Sequence, residues 1–238
     1  YLKRDSFYTG VTEGNISSDR LIVMMDVAND ELVIEQKGIY SVEKFLIARR
    51  LMYWQVYLHK TGLVAESMLV NVLKRAKELA ENGVDLFASN AFAYFLYNRI
   101  DKDNFNENTL EMFSKLDDYD ILLSIKEWVH HEDNVLSTLS KMIVERKLLK
   151  VEIQNESFSD DYISKKMKKF QEKLGVTETE IPYFVFTQEI KNQAYTSEKP
   201  ILIINKKGKL SDIAKASDQL NLQALTKPVV KHIICYPK

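Results

Sequence analysis

The chain has 238 residues, 45% of them hydrophobic and 28% charged, which suits one large domain or two small ones with a sizeable core. Its 33 basic and 34 acidic side chains leave a formal net charge of -1, so no global field draws it to nucleic acid or anionic lipid, and any anion site must be a local cluster. One cysteine, Cys235, excludes an internal disulfide framework and a cysteine zinc knuckle; a reducing cytoplasm is the expected setting, and no apolar run approaches the ~20 residues that span a bilayer.

Residues 1–7 read as the tail of a helix that lacks a cap, and the chain is expected to be part of a longer protein. Gly10 and Gly14 punctuate a polar loop, and Ser17 or Ser18 caps a short helix reaching about Met25. In MDVANDELVIEQKG, two apolar runs flank Asn29-Asp30 and predict a β-hairpin. Ser41 is expected to open a helix running to about Lys60, apolar on most of its surface and therefore buried, with Thr61-Gly62 breaking it. The spacing of Leu69, Val72, Leu73, Ala76 and Leu79 predicts a second helix over Leu63–Glu81. The aromatic stretch 86–98 and segments 107–116, 119–130 and 133–146 predict four more, with Asp117, Asp118 and Asp133 at capping positions.

The pattern changes near Leu148. LLKVEI alternates as a strand, 159–174 is a helix with Ile163, Met167, Phe170 and Leu174 on one face, and Gly175 stops it. IPYFVF, ILIIN and VVKHIICY read as further strands. The expected architecture is mainly α, a helical-bundle portion with a β-hairpin over 1–147, followed by a small α+β appendage over 148–238.

Tyr1 and Asp5 stand four apart, one helical turn, and Arg49, Tyr53 and Tyr57 repeat that spacing, with His59 and Lys60 beyond. A guanidinium and phenols in a mainly apolar helix demand partners, because burying them unpaired costs several kcal/mol. Two readings satisfy that demand. A phosphate accepts two bonds from the arginine while a tyrosine stacks on a base or sugar; alternatively Arg49 pairs with an internal carboxylate such as Asp5 and the tyrosines simply pack.

YLKRDSFYTG, the hairpin, and FLIARRLMYWQVYLHK together resemble the HD-domain triphosphohydrolases, a family that includes the human sterile-alpha-motif and HD-domain dNTPase and bacterial relatives. The family signature D-x-x-x-Y-x-x-x-D would end on Tyr1 and Asp5, and R-x-x-x-(H/Y)-x-x-x-Y-x-H-K matches Arg49, Tyr53, Tyr57, His59 and Lys60. DNVLSTLSKMIVERKLLKVEI also resembles the family; beyond residue 155 the likeness thins. The resemblance implies an HD-type helical fold and a metal-dependent phosphohydrolase acting on (deoxy)nucleoside triphosphates. It assigns Tyr1, Asp5, Tyr53 and Tyr57 to the substrate, Arg49 to its phosphates, Lys60 to a further phosphate contact and Arg20 to a regulatory nucleotide. Tyr53 stands where the human enzyme has a pocket histidine and Leu58 where it has glutamine, so base and sugar preference does not carry over.

The H…HD…D motif is absent from these residues, so the resemblance places the divalent ion's ligands upstream of Tyr1 and implies no catalytic residue and no metal ligand within the chain. His130-His131 with Glu132 and Asp133 reads as a capped helix end, His232 as a structural histidine, and Cys235 as a core residue. Lys165, Lys166, Lys168, Lys169 and Lys173, with the turn Lys206, Lys207 and Lys209, read as solvated faces; nucleic-acid binding is the rival for these. The expected partners are a nucleotide substrate and further copies of the chain, with no membrane. The alternative to hydrolysis is a non-catalytic nucleotide-binding or oligomerisation module.

Overall fold

The computed structural model describes residues 1–193, 195–196, 198–217 and 228–238. The described architecture is mainly α with a small α+β portion, as expected. It begins with α1 (Leu2–Thr9), α2 (Ser18–Val23), β1 (Met25–Ala28), β2 (Glu31–Glu35) and α3 (Ile39–Met52). A π-helical turn, Tyr53–Tyr57, leads to α4 (Lys60–Glu81), then α5 (Asn90–Tyr97), α6 (Glu107–Ser114), α7 (Asp118–Trp128) and α8 (Asn134–Val144). The remainder is β3 (Lys150–Gln154), α9 (Asp160–Leu174), β4 (Phe186–Asn192), β5 (Leu202–Ile204), β6 (Leu210–Asp212), α10 (Ile213–Ala216) and β7 (Val229–Tyr236).

Two compact units result. The first combines Tyr1–His59 with Glu189–His232. Its hairpin turns on Asn29 and Asp30, at φ 54° and 63°. Two central residues in the left-handed region make the tight turn that matches strand twist, and Asn and Asp tolerate that region best after glycine. The four-stranded sheet runs β1-β2-β5-β6, with β2 and β5 parallel through Val33↔Leu202, Ile34↔Ile203 and Glu35↔Ile204. A strand from the N-terminal hairpin thus pairs with one from the C-terminal part of the chain, whereas the change of pattern at 147/148 follows composition along the chain. Ile34, Ile39, Val42, Leu46, Tyr195, Ile203 and Ile213 close a core between this sheet and α3. Buried Glu43 accepts a hydrogen bond from the Ser217 hydroxyl, and Tyr195 donates to Asp212 at 2.8 Å.

The second unit combines Lys60–Gln188 with Ile233–Lys238. Its axis is α4, which buries Leu63, Val64, Met68, Val72, Ala76 and Ala80, the spacing of a single helix face. Val135, Leu136 and Leu139 of α8 and Ile125 and Trp128 of α7 complete this core. The Trp128 indole donates to the Phe87 carbonyl at 3.0 Å, so the buried polar edge is satisfied. Asp133 does two jobs. Its carboxylate accepts from the Leu136 N–H at the start of α8 and pairs with Arg75 at 2.6 Å.

Several boundaries differ from the sequence expectation. Gly38, not Ser41, precedes α3, and Ser41 lies inside the helix. That helix is not buried all round: Tyr40, Ile47 and Leu51 stay exposed, because one face suffices to cover the sheet. Thr61-Gly62 does not break the chain; both lie in the first turn of α4, where amides need no intrahelical acceptor. The departure from helix falls at Leu58, with φ -100° and ψ 24°. The aromatic helix is shorter than 86–98, beginning after the Ser89 cap. In IPYFVF, Pro182 favours a 3₁₀ turn over Ile181–Tyr183, and the strand starts only at Phe186.

The double role of Asp133 gives a test. Burial raises its pKa, but Arg75 and the Leu136 amide outweigh burial and hold the carboxyl below its ordinary value. A depressed folded-state pKa contributes stability that is present above about pH 4 and lost as pH falls through the folded value. Asp133→Ala is expected to lower unfolding free energy at pH 7 by about 1–3 kcal/mol, from the lost cap and the loss of one partner of Arg75, which keeps Glu78 and Glu180 within ion-pair distance. Urea titrations at pH 7 and pH 3 should show the gap between variant and unsubstituted protein shrinking in acid; an equal gap at both values would contradict this role.

Candidate functional site

The five residues singled out at helical spacing lie around one cavity of about 640 Å³ in the first unit. Tyr1 and Asp5 come from the start of α1, Arg49 from the last turn of α3, and Tyr53 and Tyr57 from the π turn. Leu2, Ile16 and Phe45 supply apolar wall, and Lys3 and Arg4 add positive charge. Three cations against one carboxylate make this lining locally basic on a chain of nearly zero net charge.

Asp5 is the hub. The Tyr57 hydroxyl donates to its Oδ2 at 2.6 Å and the Arg4 Nε donates to its Oδ1 at 2.7 Å. The Arg4 guanidinium and the Tyr57 hydroxyl together hold the Asp5 carboxyl below its usual range. Burial and the neighbouring Asp5 charge push the Tyr57 phenol up to about 12, so it remains a proton donor at neutral pH. Tyr57 in turn meets Tyr53 edge to face with ring centroids 5.1 Å apart, and the Arg49 guanidinium lies 5.5 Å from the Tyr53 ring centre. Arg4 lies 4.7 Å over the Tyr1 ring. The cavity therefore offers guanidinium and ammonium groups for an anion, aromatic walls for a flat ring, and an oriented carboxylate–phenol pair for a hydroxyl.

Sequence reasoning did not single out Arg4 or Lys3. Adjacent residues on a helix do not face one another, so Arg4 beside Asp5 offered no spacing signal. Of the other predicted positions, Arg20 lies outside this lining and donates to the Lys37 carbonyl at 3.4 Å. Lys60 lines a different concavity, in the second unit, with Arg146 and Lys150.

A divalent-metal site needs several oxygen or imidazole donors. The cavity carries one carboxylate, already bonded to Arg4 and Tyr57, and no histidine lines it. Among the described residues no three His, Cys, Asp or Glu side chains cluster for a metal. These residues do not fit a metal centre by themselves. The His131 ring accepts from the Asp133 amide at 2.9 Å, in keeping with a helix end. Cys235 is buried, and burial pushes its thiol up to about 12. On α9, Lys165 pairs with Asp161, Lys166 with Glu152, and Lys173 donates to the Lys238 carbonyl. No helix among the described residues is long and apolar enough to cross a membrane.

Comparison with known proteins gives one family match, two relatives and two solved structures. Residues 16–94 match the family described as HD associated region. The chain is 34% identical over 148 residues to the uncharacterized protein YwfO of Bacillus subtilis, covering 62% of this chain and 33% of that protein. It is also 31% identical over 166 residues to the uncharacterized protein MJ1154 of Methanocaldococcus jannaschii, covering 61% of this chain and 35% of that one. The chain thus spans about a third of the length of these relatives. Among solved structures, a phosphohydrolase from Bacteroides thetaiotaomicron superposes with a TM-score of 0.88 at 52% identity, over 100% of this chain and 60% of that one. A hypothetical protein from Aquifex aeolicus, 23% identical, shares the fold with a TM-score of 0.62, over 99% of this chain and 52% of that one. By these likenesses the chain carries a region similar to the HD associated region over residues 16–94 and resembles, along its whole length, a protein called a phosphohydrolase.

Proposed function

We propose that this chain forms the nucleotide-binding wall of a metal-dependent phosphohydrolase that acts on deoxynucleoside triphosphates. One observation carries the reading. A phosphate-type cation (Arg49), two phenols packed edge to face (Tyr53 and Tyr57) and a carboxylate oriented by Tyr57 line a single cavity large enough for a small ligand. The 52% identity to a protein called a phosphohydrolase supports the reaction class.

In this reading Arg49 binds phosphate oxygens through its planar fork, with Lys3 and Arg4 adding to the local field. Tyr53 and Tyr57 flank the sugar or base, and Asp5 accepts a bond from a sugar hydroxyl. A divalent ion, held by other residues of the whole protein, would supply Lewis-acid chemistry at the phosphate. The chain's own contribution is binding and orientation, worth much in rate because a misplaced phosphate does not react.

The full-length protein, assayed with a divalent ion against a panel of deoxynucleoside and ribonucleoside triphosphates, is expected to release phosphate from the former. Arg49→Ala should lower kcat/KM by about 100-fold, with Arg49→Lys recovering part of the loss as a point charge. Unchanged kinetics in Arg49→Ala would remove the phosphate assignment.

Tyr57→Phe tests the other end of the ligand. Loss of one hydrogen bond to a charged group should raise KM about tenfold with little change in kcat. Freed of the Tyr57 donor, the Asp5 carboxyl should also titrate higher. The acid limb of kcat/KM is then expected to move up in pH, and a pH profile that coincides with the unsubstituted one would count against Asp5 as a ligand-facing group.

A further inference from the structure

Tyr57 leaves the helix on a π turn, not on a continuation of α3. The Leu58 N–H donates to the Tyr53 carbonyl five residues back, at 2.6 Å. Such turns are uncommon inside helices and occur mostly as single turns. Trp54 and Gln55 lie within this turn but do not line the cavity.

Both are tethered from outside. The Gln55 amide donates to the Glu13 carboxylate at 3.0 Å, across 42 residues of chain. The Lys231 ammonium, on β7, sits 4.4 Å from the Trp54 ring centre. Glu13 belongs to a 3₁₀ turn, Thr12–Gly14, that lies tight against both partners of the site. A Cβ added at Gly14 would come within 2.7 Å of the Ser6 Cβ and 2.8 Å of the Leu2 carbonyl on α1, and 2.9 Å of the Met52 Sδ on α3. The 3₁₀ turn therefore sets the approach of α1, which carries Asp5, to the end of α3, from which Tyr57 projects.

The geometry assigns Gln55 with Glu13, and Trp54 with Lys231, as positioning pairs that hold the π turn where Tyr57 bonds Asp5 and packs on Tyr53. None of the four lines the cavity; they act through Tyr57. The assignment deepens the nucleotide-binding reading, and its consequence for catalysis rests on that reading.

The test uses the full-length protein with ¹³C-labelled tyrosine. The Tyr57 ring-carbon resonance is identified by Tyr57→Phe, and Asp5→Asn marks its position without the carboxylate acceptor. Gln55→Ala and Lys231→Met should each move that resonance towards the Asp5→Asn position, whereas Lys231→Arg, which keeps the cation over Trp54, should restore it. In hydrolysis of the deoxynucleoside triphosphate turned over fastest, the first two variants should raise KM by about tenfold at nearly constant kcat, with Lys231→Arg at the unsubstituted value. Folded Gln55→Ala and Lys231→Met proteins with an unmoved Tyr57 resonance overturn the assignment. Absence of hydrolysis of every deoxynucleoside triphosphate in the unsubstituted protein overturns the nucleotide reading instead, and the resonance, which needs no ligand, still decides the positioning role.

Discussion

The hydrogen bond from Tyr57 to Asp5 joins two short pieces of chain that sequence separates by 52 residues. α1 buries none of its own residues. An eight-residue helix without a buried face has no intrinsic reason to hold one orientation. What fixes it is the contact of its inner edge with the 3₁₀ turn at Gly14 and the bond of Asp5 to the π turn. Without that bond the carboxylate would keep Arg4, its neighbour on the same helix, but α1 would lose its hydrogen bond to the π turn.

α3 makes this arrangement affordable. Its Val42 and Leu46 face the sheet core, so the helix is anchored by apolar burial well before it reaches Arg49. The polar end can then carry a guanidinium and two phenols without the helix depending on them for stability. The separation is physical: hydrophobic contact fixes the axis of α3, while hydrogen bonds to Asp5 and Glu13 and the Lys231 ammonium over Trp54 hold the last turn. A site built in this way tolerates a nearly neutral protein, because its positive field comes from Lys3, Arg4 and Arg49 gathered at one cavity.

Much of this was legible in the sequence for definite reasons. Asn29-Asp30 announced the hairpin because few residue pairs accept two left-handed conformations in succession. Asp133 announced the start of α8 because a free amide there needs an acceptor. The four-residue spacings set Tyr1 beside Asp5 and aligned Arg49, Tyr53 and Tyr57, and the family resemblance joined the two sets, which line one cavity. What escaped was non-local or sub-helical. The pairing of β2 with β5 joins residues about 170 apart, and no local pattern encodes it. The π turn differs from an α-helix by one residue of register, below the resolution of periodicity. Ser41 misled because a capping side chain is equally at home inside a helix whose preceding glycine already provides the entry.

The central claim is that this cavity receives a nucleoside triphosphate, with phosphates towards Arg49 and sugar or base between Asp5, Tyr53 and Tyr57. The direct measurement is a crystal structure of the full-length protein with a non-hydrolysable deoxynucleoside triphosphate and a divalent ion. The account predicts phosphate oxygens within hydrogen-bond distance of Arg49 and the nucleoside against the two tyrosines. A nucleotide bound elsewhere while this cavity stays free of it would contradict the account.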